Sequence, residues 1–397
     1  KHNVSIFTWQ TTMQSVIHES FRINLRILQI LGLYPSENDT IWKKVQAYIL
    51  YVLSIFPIPS FGGLYLLLEN EIDVERLFDN AFILAGMTGY ITKLLPFIRN
   101  GRKLKICIDS FESPLFAAQN NEERDIIDEC IQVCKRNSRV FFTVVIGATS
   151  AWATKPFFWK HYDLPIDIWL PFYFKPGSLL NCFIYLFLVA GTYYSAFTNA
   201  AIDPLIGGLA YLAAGQFKIL KYNLQNLDQY NRKEMCSTSN IKTNTLYIAV
   251  TECIRRHNAL LRFAEEYENF FSSVVISQFM SSIFVICLSC LQLTKLQPLS
   301  LNFLIMATCL GIFLVQVYFY CYYGTTLIDE SSTLTNAIFM GNWYEYDLSS
   351  RKALLILMER SKRPVVITAG KILNLSLETF TTILRRSYSL LTVLRNY

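Results

Sequence analysis

Apolar residues gather in long uninterrupted runs along this chain. The runs near residues 45–68, 81–98, 140–158, 179–202, 270–293 and 299–323 are each about 18 residues or longer. A helix of that length crosses ~30 Å of hydrocarbon at ~1.5 Å per residue. Strands of a membrane barrel would alternate apolar and polar residues instead. A seventh, more polar candidate runs from about residue 365 to residue 397. The pattern predicts an all-α, polytopic membrane protein with seven transmembrane helices.

The polar stretches between runs have a helical period of their own. In "VIHESFRINLRILQIL" (16–31), Arg22 and Arg26 share one face, while Phe21, Leu25, Leu28 and Leu31 share another. That amphipathic pattern reads as an interfacial helix or, alternatively, an ordinary cytoplasmic one. "NEERDIIDECIQVCKRNSRVFF" puts Ile127, Ile131 and Cys134 on one stripe and leads directly into span three. A periodic segment from about residue 245 leads into span five in the same way. Spans three to six therefore extend below the bilayer as long cytoplasmic helices, and their apolar stripes require packing partners. The outer loop between spans three and four, "WKHYDLPIDIWLPFYFKPG", is aromatic and proline-rich and reads as a lid; "NRKEMCSTSNIKTN" (231–244) reads as a flexible loop.

Charge sets the orientation. Only 17% of residues are charged, against about 25% in soluble domains. Segments on the N-terminal side of the membrane carry 26 Lys and Arg, and those on the other side carry 8. Positive residues stay in the cytoplasm, so the N-terminus is cytoplasmic and, with seven spans, residue 397 faces out. The ten cysteines avoid the predicted outer loops, so a disulfide framework is not expected. Cys287 and Cys290 share a helix face but have no companion ligands, and the sequons at Asn3, Asn38 and Asn374 lie where no glycan is expected.

Catalytic chemistry is missing. There is no phosphate-cradling glycine loop and no HExxH, and His2, His18, His161 and His257 are scattered. Asp203 and Glu378 are nearly the only acids within spans, while Lys93 and Lys371 are the span lysines. No enzyme, cofactor, metal or nucleic-acid partner is expected. Seven spans also suggest a G-protein-coupled receptor. Against it stand the inside N-terminus and the lack of Asp-Arg-Tyr after span three and of Asn-Pro-x-x-Tyr in span seven. A secondary transporter would show inverted repeats and ionisable groups at the midplane. Neither is evident, apart from breaks at Pro57-Ile58-Pro59 and Pro204.

The last segment carries the most information. From Pro364 on, Lys371, Asn374, Glu378, Thr381, Arg385, Ser389, Thr392 and Asn396 recur every three or four residues. Pro364 suits a first helical turn, and the spacing predicts one helix from Pro364 to Tyr397, about 50 Å long. Charges at bilayer depth must face protein or water. The stripe fits a helix lining a water-filled path pooled from several subunits, and equally an inner helix whose polar groups bond to the bundle.

The pieces "NWYEYD", "RSKRPVVITAGK", "LSLETF" and "ILRRSYSLLTVLR", in that order, resemble the C-terminal signature of insect odorant receptors; "LGLYP" (31–35) is similar to the N-terminal Leu-Gly-Leu-Trp-Pro of that family. The Thr-Tyr-x-x-x-x-x-Gln-Phe signature of the related gustatory receptors, the nearest rival with the same architecture, is absent. The resemblance implies an odorant-gated, non-selective cation channel in the plasma membrane of olfactory sensory neurons. It implies a heterotetramer, in which a ligand-tuning subunit assembles with a shared coreceptor subunit. This chain resembles the tuning subunit, because the coreceptor carries a much longer loop before span five. The resemblance also implies a division of the chain into an N-terminal helix (1–44), spans one to six (45–325), a cytoplasmic anchor segment (326–363) and a pore-lining last helix (364–397). Val393 falls at the family's apolar gate, Asn396 at a following polar position and Tyr397 at a further gate position, with Ser389, Thr392 and Arg385 along the same path. Arg385-Arg386 is more basic than the resemblance implies for a coreceptor.

In the family, the small volatile odorant sits in the outer half of the bundle among spans two to six. Helical spacing carries that onto Met87, Tyr90 and Ile91 in span two, Val145, Ala148, Thr149 and Trp152 in span three, Phe183 and Phe187 in span four, Gln278, Phe279 and Ser282 in span five, and Met306 in span six. Core packing alone would account for each of these singly. Tyr90, Trp152 and Gln278 are the residues expected to orient a polar ligand group.

Overall fold

The computed structural model describes residues 20–35, 41–54, 56–68, 74–154, 164, 166, 168–169, 178–229 and 245–395. The fold is all-α, with one two-stranded hairpin among the described residues. Its helices are α1 (Arg22–Ile30), α2 (Ile41–Ser54), α3 (Pro57–Leu68), α4 (Val74–Asp109), α5 (Asn121–Thr154), α6 (Leu179–Gln225), α7 (Thr245–Lys295), α8 (Leu301–Ser332), α9 (Leu334–Phe339), α10 (Leu348–Ser361) and α11 (Leu377–Arg395). The predicted first span is two helices. Pro57 and Pro59 end α2 and start α3 at a point where a continuous helix would lose backbone hydrogen bonds.

Among the described residues, five stretches are long and apolar enough to cross a bilayer: Trp42–Leu68, Asn80–Asp109, Leu179–Gln225, Thr245–Lys295 and Leu301–Phe339. The more polar α5 and α11 complete the seven-span architecture. Helices α6 and α7, with 47 and 51 residues, reach about 70 and 77 Å. Both therefore continue well past the hydrocarbon as single rods, as the cytoplasmic periodicity predicts. Ser178 caps α6, its side chain accepting from Asn181 N at 3.2 Å, and Ser300 caps α8, accepting from Phe303 N at 3.1 Å.

Helices α6 and α7 form the centre. Helix α4 packs on α7, α5 on α6, α8 on both, and α11 on α7 and α8. Close approach to α6 depends on its small residues. A Cβ at Gly208 would sit 2.6 Å from the Phe21 ring. Phe21, Leu25 and Leu28 are buried there while Arg22 and Arg26 stay exposed, and Asn24 Nδ2 donates to Ala201 O at 2.9 Å. The apolar stripe of α1 is thus covered by α6 and its neighbours, not by lipid headgroups.

The largest departure from the sequence reading is at the last helix. It starts at Leu377, and Thr368–Ala369 (β1) pairs antiparallel with Leu373–Asn374 (β2) before it. Gly370 and Lys371 both have positive φ, +62° and +58°, and Ile372 N donates to Ala369 O at 3.1 Å. That is the geometry of a two-residue primed turn. The β-branched run Val365-Val366-Ile367-Thr368 favours the extended chain. Lys371 and Asn374 therefore leave the polar stripe, whose spacing continued across the hairpin by coincidence. Helix α11 has 19 residues, about 28 Å, which matches the hydrocarbon thickness without excess. The hairpin is pinned to the core. Gly370 N donates to Ser272 O at 3.0 Å, Val365 N to Ser331 Oγ at 2.9 Å and Leu377 N to Thr325 Oγ1 at 2.9 Å. Gly324 of α8 leaves room for Leu375 to lie against the helix backbone.

Candidate functional site

Helices α4 to α8 enclose a cavity of about 200 Å³. Its walls are mostly apolar: Phe82, Ile83, Gly86 and Met87 from α4, Phe141, Val145, Ala148 and Trp152 from α5, Ala196 from α6, and Cys309, Ile312 and Phe313 from α8. Phe82 and Phe313 meet edge to face at 6.5 Å. Ile166, one of the described residues of the outer loop between spans three and four, is buried and lines the cavity, packing with Ile58, Met87 and Leu188. Trp169 N donates to Phe61 O at 3.0 Å, tying this loop to α3 as a lid would be.

The cavity also has polar lining: Tyr90, Thr149, Thr192, Ser195, Asn199, Asp203, Gln278, Ser281 and Gln316. Lys93, fully buried on α4, forms an ion pair with Asp203 of α6. Its other N–H groups donate to Asn199 Oδ1 at 2.7 Å and Gln278 Oε1 at 3.2 Å. Asp203 also accepts from Tyr320 OH at 2.5 Å and from Gln316 Nε2. Gln278 Nε2 donates to Gln316 Oε1 at 2.9 Å and Ser282 Oγ at 3.1 Å. A lone charge buried here would be costly. Paired, and with its remaining hydrogen-bonding positions met, the lysine ties α4, α6 and α7 together, and Asp203 adds α8.

Helix α11 is one-sided. Thr379, Ile383 and Ser387 are buried, and Phe380 meets Tyr318 of α8 edge to face at 5.7 Å. The polar stripe faces away from the bundle: Glu378, Thr381, Arg385, Ser389 and Thr392 are exposed, as is Val393. The stripe hydroxyls bond back to their own helix, Thr381 to Glu378 O at 2.8 Å, Ser389 to Arg385 O at 3.0 Å and Thr392 to Ser389 O at 2.7 Å. Bonding of this stripe to its own bundle, the alternative left open by spacing, is not found among the described residues. Asn396 and Tyr397 lie outside the described residues.

The family model described as 7tm Odorant receptor matches residues 73–388. The chain belongs to the odorant receptor family. Odorant receptor Or1 of Anopheles gambiae is similar to it, with 25% identity over 95% of each chain. So is odorant receptor 94a of Drosophila melanogaster, with 25% identity over 95% of this chain and 97% of the relative. The olfactory receptor OR5 of Machilis hrabei, solved in complex with eugenol, has the same fold, with a TM-score of 0.82 at 15% identity over 98% of this chain and 99% of that one. The odorant receptor family is one of ligand-gated cation channels and not an enzyme family, and this member is a multi-pass membrane protein.

Within this odorant receptor the cavity gathers Met87, Tyr90, Val145, Ala148, Thr149, Trp152 and Gln278 of the residues singled out by sequence. The others stand elsewhere. Phe183 and Phe187 point outward, 68% and 42% exposed, because the cavity face of α6 is the one bearing Thr192, Ser195, Ala196, Asn199 and Asp203. Phe279 is buried in the core beside Tyr320 at 6.3 Å, and Ser282 is buried behind Gln278. Ile91 packs against the core, its carbonyl accepting from Tyr51 OH at 3.2 Å. Met306 is half-buried and off the cavity. Of the three residues expected to orient a polar ligand, Gln278 has both amide protons engaged and Tyr90 pairs with Thr198. Sequence reasoning did not place Asn199, Asp203 or Gln316 at the cavity, although Asp203 stood out as an acid within a span. Their signal was present: polar residues inside an apolar span face protein or a cavity.

Proposed function

We propose that this chain is the odorant-binding, tuning subunit of a heterotetrameric cation channel, assembled with a shared coreceptor subunit in the plasma membrane of olfactory sensory neurons. The observation that carries this reading is the pairing of a mostly apolar cavity among α4 to α8 with a last helix whose polar face has no partner among the described residues of its own subunit. A small volatile ligand enters the cavity and gains from apolar contact. Its binding favours one packing of α4 to α8 over another. Helix α11 rests on α7 and α8, so that change reaches the last helix directly. There Arg385, Ser389, Thr392 and Asn396 line the ion path, and Val393 and Tyr397 form apolar constrictions that close by dewetting.

The N-terminus lies in the cytoplasm and residue 397 outside in this reading. A tag before Lys1 is labelled only after permeabilisation, and one after Tyr397 on intact cells. The decisive experiment co-expresses the chain with a coreceptor and records currents against a broad panel of volatiles, beside coreceptor alone. Responses that need this chain, and that Trp152→Ala shifts in potency with surface levels unchanged, support the proposal. A response spectrum identical to that of coreceptor alone rejects it.

A further inference from the structure

Resting on the reading of this cavity as the odorant site, we infer that the preferred ligand is a small neutral alcohol or phenol, its hydroxyl seated on α6 between Ser195 and Asn199. Hydrogen-bond counting over the polar lining leads to this class. Thr149 donates to Val145 O at 2.9 Å, Thr192 to Leu188 O at 2.9 Å, Ser195 to Thr192 O at 3.0 Å and Ser281 to Gln278 O at 3.1 Å. The four serine and threonine hydroxyls that line the cavity have thus turned their protons into helix carbonyls and keep lone pairs for the cavity. The Tyr90 proton is also taken. Thr198 donates to Tyr194 O at 2.9 Å, which leaves its oxygen to accept from Tyr90. Lys93 and Gln278 have no N–H to spare.

The cavity therefore offers a surplus of acceptors. Among the described residues that line the cavity, the nitrogen donors with capacity left are the Asn199 amide, one N–H of Gln316 and the Trp152 indole N–H. Lys93 fixes the Asn199 amide, drawing its oxygen inward and leaving the nitrogen for the cavity. Ser195, Asn199 and Asp203 stand four residues apart on one face of α6 and all line the cavity. A hydroxyl between the first two donates to Ser195 Oγ and accepts from Asn199 Nδ2. An ether or ketone only accepts, and leaves the serine lone pair dry and unpaired. Charge argues for a neutral ligand. Asp203 is already neutralised by Lys93, so an amine or carboxylate ligand would bring an unpaired charge into a buried site. Size follows from volume. A cavity of ~150 Å³ holds benzene, so 200 Å³ suits a ligand of roughly eight non-hydrogen atoms.

Benzyl alcohol, its isomer anisole and the isosteric hydrocarbon ethylbenzene test the class at constant size. Currents are recorded from the full chain with coreceptor, and binding is read independently as the rise in Tm of the purified chain in detergent. Benzyl alcohol is expected to act at a half-maximal concentration about tenfold below that of either analogue. Ser195→Ala is expected to shrink that ratio toward one while the ethylbenzene response persists. Equal potency of the three on the unmodified chain, or a lead for anisole or ethylbenzene, overturns the inference whatever the variant does. Selective stabilisation by benzyl alcohol without current upholds the ligand class and counts against the channel reading. Absence of any stabilisation or current overturns both.

Discussion

Lys93 of α4 and Asp203 of α6 form an ion pair beside the cavity that Asp203 lines, with 0% and 1% of their side chains exposed. The pair occupies a position where solvent cannot share the load of either charge. Its stability rests on Asn199, Gln278, Gln316 and Tyr320, which meet the remaining donors and acceptors.

Removing one member leaves the other charge stranded. Lys93→Met is expected to cost about 3–5 kcal/mol, read as a lower Tm and lower surface expression. Lys93→Met combined with Asp203→Asn removes both charges and keeps an acceptor for Tyr320. It is expected to be more stable than Lys93→Met alone. A double variant as damaged as the single one would mean the charges are not what holds the four helices together.

The hairpin ahead of α11 offers a contrast between adjacent residues. Gly370→Val forces a branched residue into the left-handed region and drives its Cβ onto Ile276 Cγ1, 2.9 Å away. A loss of at least about 1–2 kcal/mol follows from the backbone alone. Lys371 holds a positive φ with a full side chain, so Lys371→Gly is expected to be neutral or stabilising by up to about 1 kcal/mol. Thermal unfolding of both variants in detergent checks the pair. Equal losses at both positions would contradict the turn.

His257 lies on the cytoplasmic part of α7, buried edge-on against the Phe217 ring at 6.2 Å. Burial, and then the nearby Arg360 charge, lower its pKa from 6.5 to about 4. The folded chain keeps this ring neutral while the unfolded chain protonates it below pH 6.5. Stability is therefore full above pH 6.5 and is lost as pH falls from there toward 4, by at most about 1.4 kcal/mol per pH unit. His257→Phe should flatten that part of a Tm-against-pH profile. An unchanged slope would show that other groups set it.

Val393, exposed on the unpartnered face of α11, gives a test of the ion path. Val393→Asn is expected to raise resting current, since a polar ring no longer dewets. Asn396→Asp is expected to alter cation permeability ratios. Wild-type resting current and selectivity in both variants, at normal surface levels, would remove these residues from the path.

Much of this architecture was legible in the chain. The apolar runs located the spans, and the polar periodicity of 122–139 and 245–269 foretold that α5 and α7 continue beyond the bilayer. Helical spacing identifies a face but not its rotation in the bundle, which is why Phe183 and Phe187 turn outward while Thr192 and Asn199 turn in. Lys93 and Asp203 each stood out as charges inside spans. Their pairing joins residues more than a hundred positions apart and is a fact of packing alone. The hairpin was hidden by a spacing of three and four that ran through Lys371 and Asn374. Its own signals, four β-branched residues in a row and then a glycine, were weaker in pattern but correct in physics.

Helix α7 contains neither glycine nor proline over its 51 residues, whereas α4 and α6 carry Pro96 and Pro204. It has no hinge of its own, so it tilts as a stiff lever. Gln278 sits at the cavity, and Thr245 begins the helix about 50 Å away. A tilt of about one degree at the ligand therefore moves the far end by close to about 1 Å. Repacking around a molecule the size of an odorant, too slight to register locally, arrives at the cytoplasmic end enlarged to the scale at which neighbouring side chains must exchange partners.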